Sequence, residues 1–434
     1  MPAVEPRLQR RYTQLVNEHL GAATPLATGP RALPRLTSAF ASTQAAWRFF
    51  ANDRVSLPAL AQPLQEAGRQ ALADSPADYA LLVHDWSILN YHRHTAKADQ
   101  IVFSQGSDRG YELATALLVD AADGAPLAPL ELRLRTSAAA YSTREPAPRR
   151  VASHLDEVLP TMRAAGALGL PRRLVHVIDC EGDSVAHLRR WHRHGHLFLV
   201  RTDGTRHVLW RGREWRLPAV VAALGQEGAF GAPRAVSYHG RPAAQVVAQA
   251  DVALTRPAYR NRRGRRKVIR GKPLAVRLVV SQVRDAAGAL LAQWCLLTDV
   301  PAGVTAAAVA LWYYWRWRIE SFFKLLKGAG QQVEAWQQEG GEAIAKRLAV
   351  AAMACVVAWQ AARVPGEAGE QLRGLLVRLS GRQRKHGVTH TLPALLAGLW
   401  VLLAMAEALE HYDLADIKRL GALIRPAAPR QDDG

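Results

Sequence analysis

The chain has 434 residues and is 49% hydrophobic, so we expect two or three domains, at least one with a full core. Lys and Arg total 56 against 37 for Asp and Glu, giving a formal net charge of +19 that favours a polyanionic partner such as nucleic acid. A generally arginine-rich composition is the alternative explanation of this charge. The 3 cysteines have no paired spacing, which argues against a zinc ribbon or a disulfide framework and fits the cytoplasm.

The sequence predicts neither a secretory signal nor a membrane-spanning segment. The N-terminal residues MPAVEPRLQRRYTQ lack the apolar stretch of a secretory signal, and no apolar run reaches the roughly 18 to 20 residues that span a bilayer. The nearest run, residues 392–406, contains Pro393 and Gly398 and is interpreted as a core helix. We therefore expect no membrane partner.

Two helices are predicted near the N-terminus. Apolar residues recur at helical spacing over residues 7–20, and residues 42–51 (STQAAWRFFA) follow a Pro/Gly-rich break with a second helical pattern. These patterns predict a helical domain over residues 1–75. DNA binding and an ordinary helical packing layer are the two interpretations of it.

Residues 76–202 alternate between strand and helix patterns. The predicted strands are 79–84, 111–119, 127–134, 174–178 and 196–201, and the predicted helices are 153–167 and 184–194. This order is that of an RNase H-like core, an α/β fold with a mixed five-stranded sheet in which the first and fourth strands lie side by side. Asp85 follows the first predicted strand and Asp179 the fourth, so the two carboxylates are expected to converge. Asp is also a common turn former at strand ends, so neither residue is diagnostic alone.

The alternation stops at residue 203, and residues 203–300 are predicted to be a β-rich insertion between turns. Within it, residues 256–272 are densely cationic, as in a solvated loop or a segment that follows DNA phosphates. Helical patterns return at 301–327, 341–364 and 392–410, with a basic loop at 380–386. We expect residues 301–365 to complete the core and residues 366–434 to form a C-terminal helical region.

The helix predicted over residues 301–327 has an unusual face. Tyr313, Arg316, Glu320 and Lys327 are spaced by 3, 4 and 7 positions, which places them on one side of a helix. A surface ion pair between Arg316 and Glu320, worth about 0.2 to 0.5 kcal/mol, would explain part of this pattern. A site becomes the better explanation when the same face lies over the predicted strand ends, because Glu320 then joins two further carboxylates.

The three carboxylates predict a metal centre. Asp85, Asp179 and Glu320, without a His or Cys ligand set, suit Mg²⁺ or Mn²⁺. Two such ions about 3.5 to 4 Å apart would clamp the attacking and leaving oxygens of a phosphoryl transfer. The cations and the phenol of the helix would hold the phosphate rather than react: Arg316, Lys327 and Tyr313.

These residues resemble those of the DDE transposases of bacterial cut-and-paste insertion sequences, in the branch with a Tyr-Arg-Glu-Lys signature to which the Tn-five transposase belongs. The signature Tyr-x2-Arg-x3-Glu-x6-Lys is met in full by residues 313–327. Asp85 in HDWSILNYHRH resembles the first acidic motif, although Trp86 replaces a small polar residue, and Asp179 in VIDCEGDS resembles the second. The similarity extends from QAAWRFFANDRVS to about residue 350.

The resemblance implies an RNase H-like catalytic domain with a β-insertion, an N-terminal domain that binds transposon ends, and a C-terminal dimerisation region. It implies metal-dependent cleavage of transposon ends through a hairpin, followed by strand transfer into target DNA at the same site. The implied partners are double-stranded DNA, as terminal inverted repeats and target, and a second copy of the chain in the bacterial cytoplasm. A catalytically silent DNA-binding relative and an RNase H-like nuclease without strand transfer are the alternatives.

The resemblance also implies contacts with DNA outside the signature. Trp294 in QWCLLTDVP resembles a tryptophan that stacks on a base flipped from the hairpin, a contact worth about 1 to 3 kcal/mol. A buried strand residue is the alternative for Trp294. Lys324, Arg318 and Arg201 fall at positions that resemble DNA contacts of the family, with solvated cations as the alternative.

Overall fold

The computed structural model describes residues 2–21, 39–103, 108–262, 265–328, 330–382 and 389–423. Three helices precede the first strand: α1 (Pro6–Gly21), α2 (Ala39–Phe50) and α3 (Leu57–Ala73). The first two agree with the sequence prediction within a few residues, whereas α3 was not predicted. Ser56 caps α3 by accepting a hydrogen bond from the Ala59 N–H, and a proline follows in its first turn.

The core sheet begins with a meander. Its strands are β1 (Tyr79–Asn90), β2 (Ile101–Val102), β3 (Arg109–Asp120), β4 (Pro126–Arg135) and β5 (Ala140–Ser142). The chain continues through α4 (His154–Gly166), β6 (Arg173–Ile178), a 3₁₀ turn (Cys180–Gly182), α5 (Val185–Arg193) and β7 (Leu197–Arg201). β6 pairs in parallel with both β1 and β7, so the order is β4-β3-β1-β6-β7. The first and fourth predicted strands therefore lie side by side, as predicted.

Residues 203–300 are rich in β-structure, as predicted. Their elements are β8 (His207–Trp210), β9 (Arg213–Arg216), α6 (Leu217–Gln226), β10 (Arg234–Tyr238), β11 (Arg241–Leu254), β12 (Ala258–Arg262), β13 (Arg265–Ile269), β14 (Leu274–Arg284) and β15 (Leu290–Thr298). β15 pairs with β7, and β14, β11, β8 and β9 continue outward. Within the described residues one mixed sheet thus contains 13 strands, more than the five predicted, because the insertion extends the core sheet.

The cationic segment 256–272 contains the β12–β13 hairpin, which forms a separate two-stranded sheet. Residues 263 and 264 of this segment lie outside the described residues. The same holds for residues 383–388, which include part of the predicted basic loop 380–386, and for residues 424–434 of the predicted C-terminal region.

The rest of the chain is helical. It comprises α7 (Ala306–Trp315), α8 (Arg318–Leu326), a 3₁₀ turn (Val333–Ala335), α9 (Gly341–Arg363), α10 (Gly366–Leu379), α11 (Leu392–Leu409) and α12 (Leu414–Ala422). The single helix predicted over residues 301–327 is therefore two helices. At the break the Arg316 N–H donates to the Tyr313 carbonyl at 3.1 Å and the Ile319 N–H to the Arg316 carbonyl at 3.2 Å. Hydrogen bonds of this i to i−3 type tighten the backbone into a 3₁₀ turn, which separates the two helices.

The core has two main parts, one on each face of the sheet. On one face Leu81, Val83 and Val177 pack with α8 and with α9, which is buried along most of its length. α1 contacts α9 and α11, and α3 contacts α9 and β4, so the N-terminal and C-terminal helices share this core. On the other face Ile178, Phe198 and the strands of residues 203–300 pack with α4, α5 and α6. The domain boundaries expected from the sequence remain predictions.

One helix of the described residues, α11, is long and apolar enough to cross a membrane by length and composition, with a mean hydropathy of 2.0 over 18 residues. About a third of that window, 33%, is buried within the protein. Core helices of soluble proteins pass the same test, so this feature is weak evidence for a membrane span.

Candidate active site

The register of two parallel strands places Asp85 beside Asp179. His84 of β1 pairs with Ile178 of β6, and an aspartate is the next residue in each case. Asp179 directly follows β6, as predicted. The prediction that Asp85 follows its strand was wrong, because β1 continues to Asn90 by pairing with β3 beyond the end of β6.

The same face of the sheet presents further polar side chains on the next strands. Side chains alternate along a strand, so Asp85 shares the face of Leu81 and Val83, which pack towards α8. Arg201 ends β7 and pairs with Leu296 of β15, and Trp294 lies two positions before Leu296 on that strand. One face therefore carries Asp85, Asp179, Arg201 and Trp294 on four neighbouring strands.

Arg316 joins the carboxylates from above the sheet. Its Nη1 donates to Oδ2 of Asp85 at 2.7 Å, and its Nη2 lies 3.7 Å from Oε1 of Glu320. The side chains of Arg316 and Asp85 are 12% and 15% exposed, and that of Glu320 is 35% exposed. Asp179 is close enough for its charge to act on both Asp85 and Arg316. The three predicted carboxylates are thus gathered around one arginine.

Burial dominates the electrostatics of Asp85. It raises the pKa of Asp85 to about 6, and the nearby carboxylates Glu320 and Asp179 add to the rise. Arg316 and the Trp86 N–H, which donates to Oδ1 at 2.8 Å, oppose it. Opposite charge and a hydrogen bond favour the ionised carboxylate, but here they only partly offset the loss of water.

The carboxylates of Asp85, Asp179 and Glu320 are donors that a hard divalent ion prefers, but Arg316 already contacts two of them. Carboxylate oxygens are the ligands that Mg²⁺ and Mn²⁺ prefer. Nevertheless, among the described residues no group of three His, Cys, Asp or Glu side chains is arranged to hold a metal. Instead, the guanidinium of Arg316 contacts two of the carboxylates, by a hydrogen bond to Oδ2 of Asp85 and an ion pair with Glu320.

The other two signature residues lie on different helical segments, because the break at Arg316 separates α7 from α8. Tyr313 lies on α7, where burial raises its pKa to about 12 and the charges of Arg201 and Asp179 also act on it. Lys327 ends α8, and its Nζ donates to the carbonyl of Ile88 on β1 at 2.6 Å. The fold therefore brings Tyr313 to the carboxylates and holds Lys327 further along β1.

A cleft of about 540 Å³ opens beside the carboxylates. Its aromatic lining consists of Tyr238, Trp294, Tyr313, Tyr314, Trp315 and Trp317. The rings of Trp294 and Tyr238 meet edge to face at a centroid distance of 6.4 Å. Sequence reasoning found Trp294 but missed Tyr238, which comes from a distant strand and has no local motif. It also missed Trp317, which sits within the signature and is 56% exposed.

The remaining predicted cations have different surroundings. Arg201 lies beside the second aspartate, and its Nη2 donates to Sγ of Cys180 at 3.0 Å. Arg318 donates from Nε to the carbonyl of Gly124 at 2.8 Å, which ties it to the β3–β4 turn. Lys324 is exposed, and its Nζ lies 5.5 Å from the ring centroid of Trp317. Both Arg201 and Arg318 line the cleft, and their contacts with DNA remain predictions.

The face of the sheet behind the site contains a polar layer that the sequence did not reveal. His84 and His176 are buried on β1 and β6 and share a hydrogen bond of 3.0 Å. Nearby, His154 stacks on Trp86 at a centroid distance of 3.9 Å, and its two ring nitrogens each lie 3.2 Å from a carboxylate oxygen, of Glu112 and of Glu181. These contacts tie the strands and the turn that carry the two aspartates to α4.

Comparisons with known proteins give little beyond this geometry. No family model and no curated protein matches the chain. Among solved structures, the chain is similar to the piggyBac transposase in a synaptic complex with hairpin DNA, with a TM-score of 0.33 and 8% sequence identity. The match covers 86% of this chain and 64% of that chain, so this chain spans less than two thirds of its length. A similarity at this level does not establish a shared fold or function.

Proposed function

We propose that the protein is a DDE-type DNA transposase that cleaves transposon ends and joins them to target DNA at the site of Asp85, Asp179 and Glu320. The observation that carries this proposal is the register of β1 and β6, which together with α8 gathers three carboxylates from distant parts of the sequence. The strand order β4-β3-β1-β6-β7 supports an RNase H-like core.

The carboxylates are assigned to hold two Mg²⁺ or Mn²⁺ ions, which when bound would activate the attacking oxygen and stabilise the leaving oxygen of an in-line phosphoryl transfer. Arg316 is assigned to the phosphate, because its planar guanidinium can bind two phosphate oxygens at once. Lys327 and Tyr313 are assigned to the neighbouring DNA backbone, as a point charge and a hydroxyl donor.

The aromatic cleft supports the hairpin route. A base that leaves the duplex needs a flat apolar surface, and stacking on an aromatic ring is worth about 1 to 3 kcal/mol per base. Trp294 is half-buried in the cleft on the face of the sheet that carries Asp85 and Asp179. Arg201 and Arg318 lie at the same cleft, where their charges suit a DNA strand.

Further assignments follow from the proposed activity. The net charge of +19 suits double-stranded DNA, both as terminal inverted repeats and as target. Cut-and-paste transposition holds two ends together, so a homodimer is assigned, with residues 366–434 as the dimerisation region and residues 1–75 as the end-binding region. The protein of a bacterial insertion sequence would act in the cytoplasm on the nucleoid.

The test uses the DNA that flanks the gene, because a transposase acts on the ends of its own element. With Mg²⁺ or Mn²⁺ the purified chain is expected to nick this DNA at inverted repeats and to transfer the ends into a plasmid. Glu320→Gln should abolish both steps and retain DNA binding, whereas Glu227→Gln, at the exposed C-terminal end of α6, should leave them unchanged.

Other outcomes of this test would indicate a different function. Cleavage without strand transfer would indicate an RNase H-like nuclease, and DNA binding without cleavage would indicate a silent relative. Undiminished cleavage by Glu320→Gln would remove the carboxylate site from the mechanism.

A further inference from the structure

Arg316 provides positive charge to two of the carboxylates that the proposed function assigns to metal ions. Its Nη1 donates to Oδ2 of Asp85 at 2.7 Å, while Oδ1 of Asp85 accepts from the Trp86 N–H at 2.8 Å. Both oxygens of Asp85 therefore already accept a hydrogen bond from the protein. The second nitrogen of the guanidinium is 3.7 Å from Glu320, so one cation serves two of the three carboxylates.

A divalent ion and this guanidinium compete for the same position. A metal ligated by Asp85 and Glu320 would lie within a few ångströms of a like charge in a mostly buried setting, where screening by water is weak. Arg316 therefore opposes metal binding for as long as it stays on Asp85.

The surroundings provide a place for the arginine to go. Arg316 lies in the 3₁₀ turn between α7 and α8 and lines the aromatic cleft of about 540 Å³. A DNA phosphate in that cleft would offer the guanidinium two oxygens, a stronger partner than one carboxylate oxygen. When Arg316 turns to the phosphate, a metal can take its place on Asp85, so that neither buried charge is left without a partner.

We propose that Arg316 acts as an internal cation that closes the carboxylate centre in the DNA-free protein, and that a phosphate of bound DNA draws it away and admits the metal. This inference rests on the proposed function. It makes Arg316 a positioning residue that couples metal binding to DNA binding, so that each ligand raises the affinity for the other. A centre closed in this way has low affinity for divalent ions until DNA is bound.

The experiment measures Mn²⁺ binding to the full DNA-free chain by isothermal titration calorimetry. Arg316→Gln is expected to bind Mn²⁺ about tenfold or more tightly than the wild type, because a like charge next to the ion is removed. Arg363→Gln is the matched control, since it removes another arginine–aspartate pair, 3.1 Å long, between α9 and Asp120 at the end of β3. Its Mn²⁺ affinity should equal that of the wild type.

Two further measurements separate this inference from its alternatives. Adding Asp179→Asn to Arg316→Gln should return the affinity to the wild-type value, and circular dichroism should show that every variant is folded. A short random-sequence duplex, with its own Mn²⁺ uptake subtracted, should raise the affinity of the wild type and leave that of Arg316→Gln little changed.

Equal Mn²⁺ affinity of the wild type and Arg316→Gln, or a gain that survives Asp179→Asn, would overturn the inference. Its failure is distinct from failure of the proposed function. If Arg316→Gln binds Mn²⁺ tightly but the wild type does not cleave DNA, the transposase function is wrong and the role of Arg316 as an internal cation stands. If the wild type cleaves DNA but the two proteins bind Mn²⁺ equally, the transposase function stands and the role of Arg316 is wrong.

Discussion

His84 of β1 and His176 of β6 share a buried hydrogen bond of 3.0 Å on the face of the sheet opposite the carboxylates. One ring must donate and the other accept, so the accepting ring is neutral, and burial favours the neutral form of the donating ring as well. Burial lowers the pKa of His84 to about 3 and holds that of His176 well below its usual value. The strands that present Asp85 and Asp179 therefore depend on two uncharged histidines.

This pair predicts a loss of stability in mild acid. An unfolded histidine binds a proton below about pH 6.5, whereas His84 in the folded protein stays neutral down to about 3. The contribution of this pair to the free energy of unfolding should therefore be nearly constant above pH 6.5 and fall as the pH drops below it. At pH 5 the loss is about 2 kcal/mol for His84, and His176 adds to it in the same direction. Urea unfolding at a series of pH values measures this.

The control for the acid effect is His239→Gln, an exposed histidine next to β10, which should leave the slope of stability against pH unchanged. His176→Asn should reduce the slope below pH 6.5.

Asp85 acts in the opposite direction, because burial raises its pKa to about 6 and the folded state binds its proton first. Its contribution makes the folded state more stable as the pH falls through 6, but one carboxyl offsets only part of the histidine effect.

The second aspartate should be separable from its acidic neighbour. Asp179 follows β6 next to Asp85, whereas Glu181 is exposed and lies 3.2 Å from His154. Asp179→Asn should reduce metal-dependent DNA cleavage by about a hundredfold or more, since it removes a metal ligand. Glu181→Gln should retain cleavage. Rates from end-labelled DNA on denaturing gels compare the two, and equal losses would mean that the turn as a whole, rather than Asp179, provides the function.

Trp294 should act at one step of the reaction. If it stacks on an unpaired base, Trp294→Ala should slow hairpin formation by about tenfold or more and leave the first nick unchanged. Trp294→Phe keeps an aromatic surface and should recover most of the loss. A nicking rate that falls as far as the hairpin rate would instead indicate a packing role for Trp294.

The strand order and the convergence of the aspartates could be predicted from the sequence because they follow from periodicity. Alternating strand and helix patterns set the order, and parallel neighbours end at the same edge of a sheet. Asp179 illustrates this success. Asp85 lies within β1 rather than at its end, because Leu89 and Tyr91 continue the buried face beyond it. No local sequence pattern marks where β6, the parallel partner of β1, ends.

The features that sequence reasoning missed depend on contacts between distant residues. The break between α7 and α8 leaves no proline or glycine signal, and both Arg316 and Trp317 keep right-handed helical dihedral angles. The contact of Arg316 with Asp85 joins residues 231 positions apart, so a helical wheel paired Arg316 only with Glu320. Likewise, the insertion joins the core sheet through β7 and β15, a pairing that no periodicity specifies.

Gly124 should be essential for the position of the arginine turn. Its φ of 71° lies in the left-handed region, and a Cβ there would come within 2.4 Å of the Trp315 ring. Its carbonyl also accepts the hydrogen bond from Arg318, so this turn supports the chain on both sides of Arg316. Gly124→Ala should lower the free energy of unfolding by about 2 to 4 kcal/mol, through backbone strain and overpacking.

The control for this substitution separates backbone strain from the clash with Trp315. Gly288 has a similar φ of 84°, but a Cβ there meets nothing within 4 Å, so Gly288→Ala should cost only about 1 kcal/mol. Thermal unfolding of both variants measures the difference. Because a displaced Trp315 moves the turn that holds Arg316, Gly124→Ala should also change Mn²⁺ affinity, whereas Gly288→Ala should not. Equal destabilisation by the two substitutions would mean that the Gly124 turn does not brace the arginine.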